Sequence, residues 1–519
     1  MSSIDLLECI GHESRESEEA RQTGWVPANS KAVNRGVALL AGVGAAAFAH
    51  SQVVPPPIPS DGPGPIPPPN LSGGDPIYLL LQRTTFGFTQ EDYALATQMG
   101  FRGYLEWQLN YTAIDDSALN DRLAAYTTLD MGPYQLYTLP MGSPSPLTQL
   151  QDATLLRAVF SRRQLYEKMV EFWSDHFSIE MNKVGILKVV DDREVARAYG
   201  MTTFTQLLWA SAHSPGMLVY LDNQTSTAAI PNQNYARELL ELHTLGVDNG
   251  YTQADVDAAA KCLSGWSLYF SSSGKLYGSF AFYSNRHNNS AKTFLGESIP
   301  AGGYIKDGEK VISLLASHPN TAHFICSKLV RRFIADDAPN QLVAEAEATF
   351  NATGGNICDV LRTILTERNL IAYAQPRLKR PFHVVASALR ASKATVTNIA
   401  GSRALLTNMG HLPFRWAPPN GYPDYTSYWS GLLLPRWNVA FSLLNNQVSG
   451  ASVNASALFQ GLNTNTAIAA KINQLLANGN MAAEDVAAVQ AYLSPTETDI
   501  NKIREALALG MCSPSFQWY

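Results

Sequence analysis

From about Pro76 onward, apolar residues return at intervals of three and four, and runs that alternate apolar with polar are scarce. That period lays a stripe along one face of an α-helix, so the spacing predicts a mainly α chain. The clearest stretch runs from Leu155 to Phe177, marked by Leu155, Val159, Leu165, Met169, Phe172 and Trp173. Thr89-Gln-Glu-Asp92 and Thr252-Gln-Ala-Asp255 have the form of capping boxes, in which a hydroxyl and a carboxylate serve free amides of a first helical turn. Pro339 and Pro381 suit first-turn positions of two further helices. The best strand candidate is the segment from Leu276 to Ser284. The expected fold is a large multi-helix assembly with at most a small β-hairpin.

The chain has 519 residues, 46% of them hydrophobic and 16% charged, which is ample material for a large core. Net charge is −6 and no Lys/Arg-rich run stands out, so nucleic acid is not an expected partner. CxxC and CxxCH spacings are absent, which leaves a zinc ribbon and a c-type haem unsupported. Walker, GxGxxG and GxSxG motifs are absent too, which weakens nucleotide-binding and serine-hydrolase readings.

Near the N-terminus, Lys31 and Arg35 precede an uncharged run from Gly36 to Ala49 that ends Ala47-Phe48-Ala49. Basic, apolar and small-x-small regions in that order predict a cleaved signal peptide over 1–49, with an unusually long leading part. The expected location is periplasmic, cell-surface or secreted. Membrane contact is expected only through this segment if it stays uncleaved. Cleavage removes Cys9 and leaves Cys262, Cys326, Cys358 and Cys512. Val53 to Asn70 is rich in proline and reads as an extended linker, within a linker region at 50–75. A helical domain is expected over 76–446 and a helical extension over 447–519.

The densest polar segment is Pro231 to Val256. On a helix, Asn234, Arg237, Glu238 and Glu241 fall within about 100° of one face, while Ala236, Leu239, Leu240 and His243 fall opposite. This is neither HExxH nor Glu-x-x-His. Two readings stand. Arg237 and Glu241 can form an ordinary i,i+4 pair, with Glu238 solvated and His243 in the core. Alternatively the polar face lines a cleft, where one carboxylate is free to act as base or ligand. His176 continues the Met169–Trp173 stripe and should point inward, while Glu171 and Asp175 lie together on another face. His287 and Lys292 sit in a polar loop. The site expected from these patterns brings His176 to the 231–243 segment, with Glu238, Glu241, Arg237, His176 and Asn234 as catalytic residues. His176, Glu238, His243 and His287 are the candidate ligands should a divalent metal be the cofactor.

LLQRTTFGFT, EFWSDHFS, YLDNQTS, NQNYARELLELHTLGV, GYTQADV, SGWS, RHNNSAKTFLG, ASHPNTAHFICSKL and NGYP…W…LLPRW occur in one order. Together they resemble the bacterial "domain of unknown function 1800" family, over about Pro76 to Asn446. The resemblance implies a large exported helical protein, with an exported alkaline-phosphatase-like or sulfatase-like protein as its partner. It carries no agreed catalytic roles. Two departures each remove a carboxylate from a motif: Gln233 stands where the family has Glu, and Asn288 where it has Asp. Two function classes follow. One is a secreted hydrolase-like or metal-assisted enzyme with a Glu/His/Arg pocket. The other is a non-catalytic envelope or extracellular assembly protein.

Overall fold

The computed structural model describes residue 68 and residues 75–519, apart from 272 and 273. The expected signal peptide lies outside the described residues, as does the linker except for Pro68 and Asp75. Among the described residues there are 26 α-helices and three two-stranded antiparallel sheets, so the chain is mainly α. No helix among them is long and apolar enough to cross a membrane.

Local signals act where the spacing placed them. Both capping boxes form, Thr89 with Asp92 at the head of Gln90–Leu109 and Thr252 with Asp255 at the head of Gln253–Cys262. Pro381 opens the helix Pro381–Ala391, whereas Pro339 stands one step earlier, as the N-cap of Asn340–Ala352. Within the 276–284 segment only Phe280–Phe282 is a strand, and it pairs with Trp266–Leu268 in the register Ser267↔Ala281. Lys292–Phe294 with Glu297–Ile299, and Thr395–Val396 with Ala451–Ser452, make the other two pairs.

The periodic stretch at 155–177 is not one helix. Pro146–Phe160 ends and Gln164–His176 begins after a break. Asp116 causes the interruption by accepting from Ser161 Oγ at 2.6 Å and from the Arg162 amide at 2.7 Å. Gln164 Nε2 then serves the Ala158 and Ser161 carbonyls, which closes the first helix.

The Gln164–His176 helix carries residues that matter for the candidate site. It packs against Pro76–Thr84, Gln90–Leu109, Pro146–Phe160 and the π-helical turn Asp192–Arg197. Leu165, Met169, Phe172, Trp173 and His176 are all buried along one side. Each such apolar side chain contributes about 1.5–3 kcal/mol on burial. Further along the chain, Ile500–Cys512 packs on Leu433–Leu444, and Trp518 pairs with Leu378 in an isolated bridge.

Candidate active-site cleft

The other side of the Gln164–His176 helix is polar. Glu167, Glu171, Ser174, Asp175 and Ser178 recur at helical spacing and line a small cleft. Facing them are Thr154 and Ala158 from Pro146–Phe160, Asp192 and Arg197 from the π-turn, and an aromatic wall of Phe382, His411, Phe414, Trp416 and Tyr422.

The floor is a network of buried arginines and carboxylates. Arg380 is buried at the head of the Pro381–Ala391 helix and spans both acids of the polar stripe, bonding to Glu171 and, at 2.6 Å, to Asp175 Oδ2. His383 Nε2 lies 2.9 Å from Glu171 Oε2. Arg332, from Pro319–Phe333, stands 3.6 Å from Asp175 and 3.2 Å from Asp424. Arg377 reaches Asp424 at 3.3 Å and Asp336 at 3.0 Å. Buried charges are tolerated when paired in this way, whereas deleting one partner strands the other.

These surroundings split the two acids on the helix. Burial pushes Glu171 up, but Arg380, His383 and Arg332 together outweigh it and hold the carboxyl well below its usual range. For Asp175, burial and the adjacent Glu171 charge outweigh Arg380 and Arg332, so its carboxyl is raised. Burial takes His383 down to about 3, so it is neutral and donates through Nε2 to Glu171.

Toward the π-turn, Arg197 holds Glu167 with two bonds, at 2.6 and 3.0 Å. Asp192 is 3% exposed, lines the cleft and has no hydrogen-bond or ion-pair partner among the described residues. π-turns inside helices are frequent at functional sites. Here one sets Asp192 and Arg197 onto the cleft wall.

Apart from Phe382, which lies on Pro381–Ala391, the aromatic wall belongs to the loop at 411–422, which is pinned through its backbone. Gln151 Nε2 donates to the Pro413 carbonyl at 2.9 Å and Tyr220 Oη to the Ala417 carbonyl at 2.6 Å. Met181 N donates to the Phe414 carbonyl at 2.9 Å, and Tyr422 Oη reaches the Leu412 carbonyl at 2.7 Å. Trp416 stays half-buried, with its ring 5.1 Å from that of Tyr422.

The residues singled out from sequence fall into three places. The helix of the 231–256 segment is Gln233–Glu241, ending two residues before His243. The turn after it brings His243 inward, where its carbonyl receives His176 Nε2 at 3.1 Å, so His176 and this segment meet. The other ring nitrogen of His176 accepts from Lys328 Nζ at 2.9 Å, and His176 bonds to neither Glu238 nor Glu241. Asn234 is exposed, while Arg237 is half-buried and reaches Glu241 at 3.3 Å and Gln253 at 2.7 Å. Glu241 is buried and bonded by the Tyr251 phenol. Glu238 is half-buried, and burial together with the Glu241 charge lifts it to about 7. His287 is buried in a separate cluster, 2.7 Å from the Ser264 carbonyl and 3.2 Å from Asp307, which also takes Lys292 at 2.5 Å. Among the described residues, no group of three or more His, Cys, Asp and Glu is arranged to hold a metal ion.

Glu171 and Asp175 were visible beforehand only as neighbours on a helix face. Arg332, on Pro319–Phe333, and Arg377, Arg380 and His383, around the start of Pro381–Ala391, gave no separate signal in the sequence. Residues 79–518 match the model of a family described as "Protein of unknown function (DUF1800)". No curated protein and no solved structure matches the chain.

Proposed function

Because this chain belongs to the DUF1800 family, whose function is unknown, its chemistry has to be read from its own side chains, and we propose that it is an exported hydrolase acting by acid–base catalysis in the 411–422 cleft. The observation that carries the reading is the unequal environment of Asp175 and Glu171, one turn apart on a single helix. Environments that push two neighbouring carboxyls in opposite directions assign one as acid and the other as base. Asp175 keeps its proton longer and donates it to a leaving oxygen. Glu171 stays ionised, held by Arg380 and His383, and supplies the charge that stabilises a developing cation or orients water. Asp192, which lies in the field of Arg157 and Arg197, offers an acceptor to a substrate hydroxyl.

The aromatic rings of Phe414, Trp416 and Tyr422 favour a ring-bearing, hydroxylated substrate, and a glycosidic bond is the bond we assign. A panel of chromogenic glycosides offered to the purified full chain tests this. Turnover of at least one, lost in Asp175→Asn with the fold retained, is the expected result. Turnover that survives that substitution, or none across the panel, removes the proposal.

A second reading has its own observation. Leu434, Trp437 and Phe441 are exposed at i, i+3 and i+7 on Leu433–Leu444, a stripe suited to docking an exported partner. A photo-crosslinker at position 437 tests it: a discrete adduct in the native envelope supports an assembly role, and no adduct counts against one.

A further inference from the structure

Away from the cleft, two buried cations, Lys379 and Arg436, both stand against the Phe516–Gln517 stretch. Lys379 sits just before the Pro381–Ala391 helix, and its amide donates to the Gln517 carbonyl at 2.9 Å. Its side chain is 3% exposed, and the ammonium lies 4.0 Å from the centre of the Phe516 ring. Arg436, on Leu433–Leu444, is 0% exposed. It donates to Gln517 Oε1 at 3.2 Å and to the Trp429 carbonyl at 3.4 Å, and its Nε has no acceptor. Among the described residues, no oxygen accepts from Lys379 Nζ, and no carboxylate stands within ion-pair distance of either cation. Arg377 and Arg380, two residues before Lys379 and one after it, each face carboxylates.

A buried charge with no counter-charge is costly, and a second charge of the same sign that acts on it adds to the cost. The Phe516 ring attracts the ammonium but supplies no acceptor. Burial, with the Arg436 charge adding to it, takes the Lys379 amine down to about 7, and burial takes Arg436 down to about 9.

We propose that Lys379 and Arg436 together bind a small inorganic anion, chloride, beside the Gln517 side chain. The anion gives Lys379 Nζ and Arg436 Nε the acceptor each lacks. It ties three pieces of chain at one point: the 377–380 segment, the Leu433–Leu444 helix and the 516–519 segment that pairs with Arg377 and Lys379. The first of these also carries Arg377 and Arg380, so a filled anion site steadies the floor of the cleft.

Thermal melting of the full chain in sodium chloride and in sodium gluconate at equal ionic strength tests the proposal, since gluconate is too bulky for a buried site. The expected result is a melting point that rises saturably with chloride alone, and a Lys379→Met variant that no longer responds. Bromide-soaked crystals should show an anomalous peak between Lys379 Nζ and the Arg436 guanidinium. Equal responses to both salts, a chloride response retained in Lys379→Met, or an ordered water in place of bromide would each overturn the site. If the variant melts too low to compare, the bromide peak in the unaltered protein decides alone.

Discussion

Gly421 packs directly against the backbone of Asp175: its φ is +73°, and a β-carbon added there would overlap the Asp175 carbonyl oxygen. Only glycine lets the aromatic loop close over the end of the carboxylate helix at this distance. Gly421→Ala is expected to cost about 1–3 kcal/mol from strain and overlap. A urea denaturation midpoint equal to that of the unaltered chain would show that the loop gives way at no cost.

The two carboxylates should respond differently to neutralisation. Asp175→Asn is expected to lower turnover of a chromogenic glycoside by about 10²–10⁴-fold with little change in melting point. Glu171→Gln takes the counter-charge from Arg380 and Arg332 and weakens the bond from His383, and its expected stability cost is about 3–5 kcal/mol. Kinetics and melting measured on both variants separate the roles. Equal melting losses in the two would contradict the assignment.

Acid sensitivity should trace in part to His243, whose two ring nitrogens are buried without partners. Burial takes it down to about 3 in the folded chain, against about 6.5 unfolded. The unfolded chain therefore takes up the proton first, so stability falls as pH drops below the unfolded value, levelling off only near the folded one. His243→Leu should flatten urea stability between pH 6.5 and 4. An unchanged slope would place the acid sensitivity elsewhere.

Glu238 has the opposite sign from a typical surface acid. Its carboxyl is raised to about 7, so the folded chain holds that proton more tightly than the unfolded one. Stability contributed by this group is present at low pH and is lost as pH rises through 7. Glu238→Gln should melt higher than the unaltered chain at pH 8 and match it at pH 4, below the unfolded value of 4.5. Identical melting curves at pH 8 would show that Glu238 is solvated.

Export should remove residues 1–49. Intact mass of material from the envelope or medium is expected to begin at His50. A full-length product confined to the cytoplasm would end the export proposal.

The helical class was legible because three/four spacing needs only local sequence, and the boxes at Thr89 and Thr252 needed only four residues each. The break at Ser161 was not legible, since Asp116 makes it from 45 positions away. The inward direction of His176 followed from its stripe, and its meeting with the 231–243 segment depended on the helix ending before His243, which it does. The weight of Glu171 and Asp175 was hidden for the same reason as the break. An i,i+4 pair of acids looks like any solvated face until the arginines that bury it are known, and those arrive from far along the chain.

That distance sets when the cleft can exist. Asp175 and Arg380 are 205 residues apart. A chain that has emerged only as far as its first three hundred residues holds the acids, the π-turn and His176, but none of the bases that give the acids their character. Long-range closure of this kind comes late in folding. Until it does, the helix bearing Glu171 and Asp175 is an ordinary hydrated surface with ordinary carboxylates, and a chain still in transit carries no chemistry to misdirect.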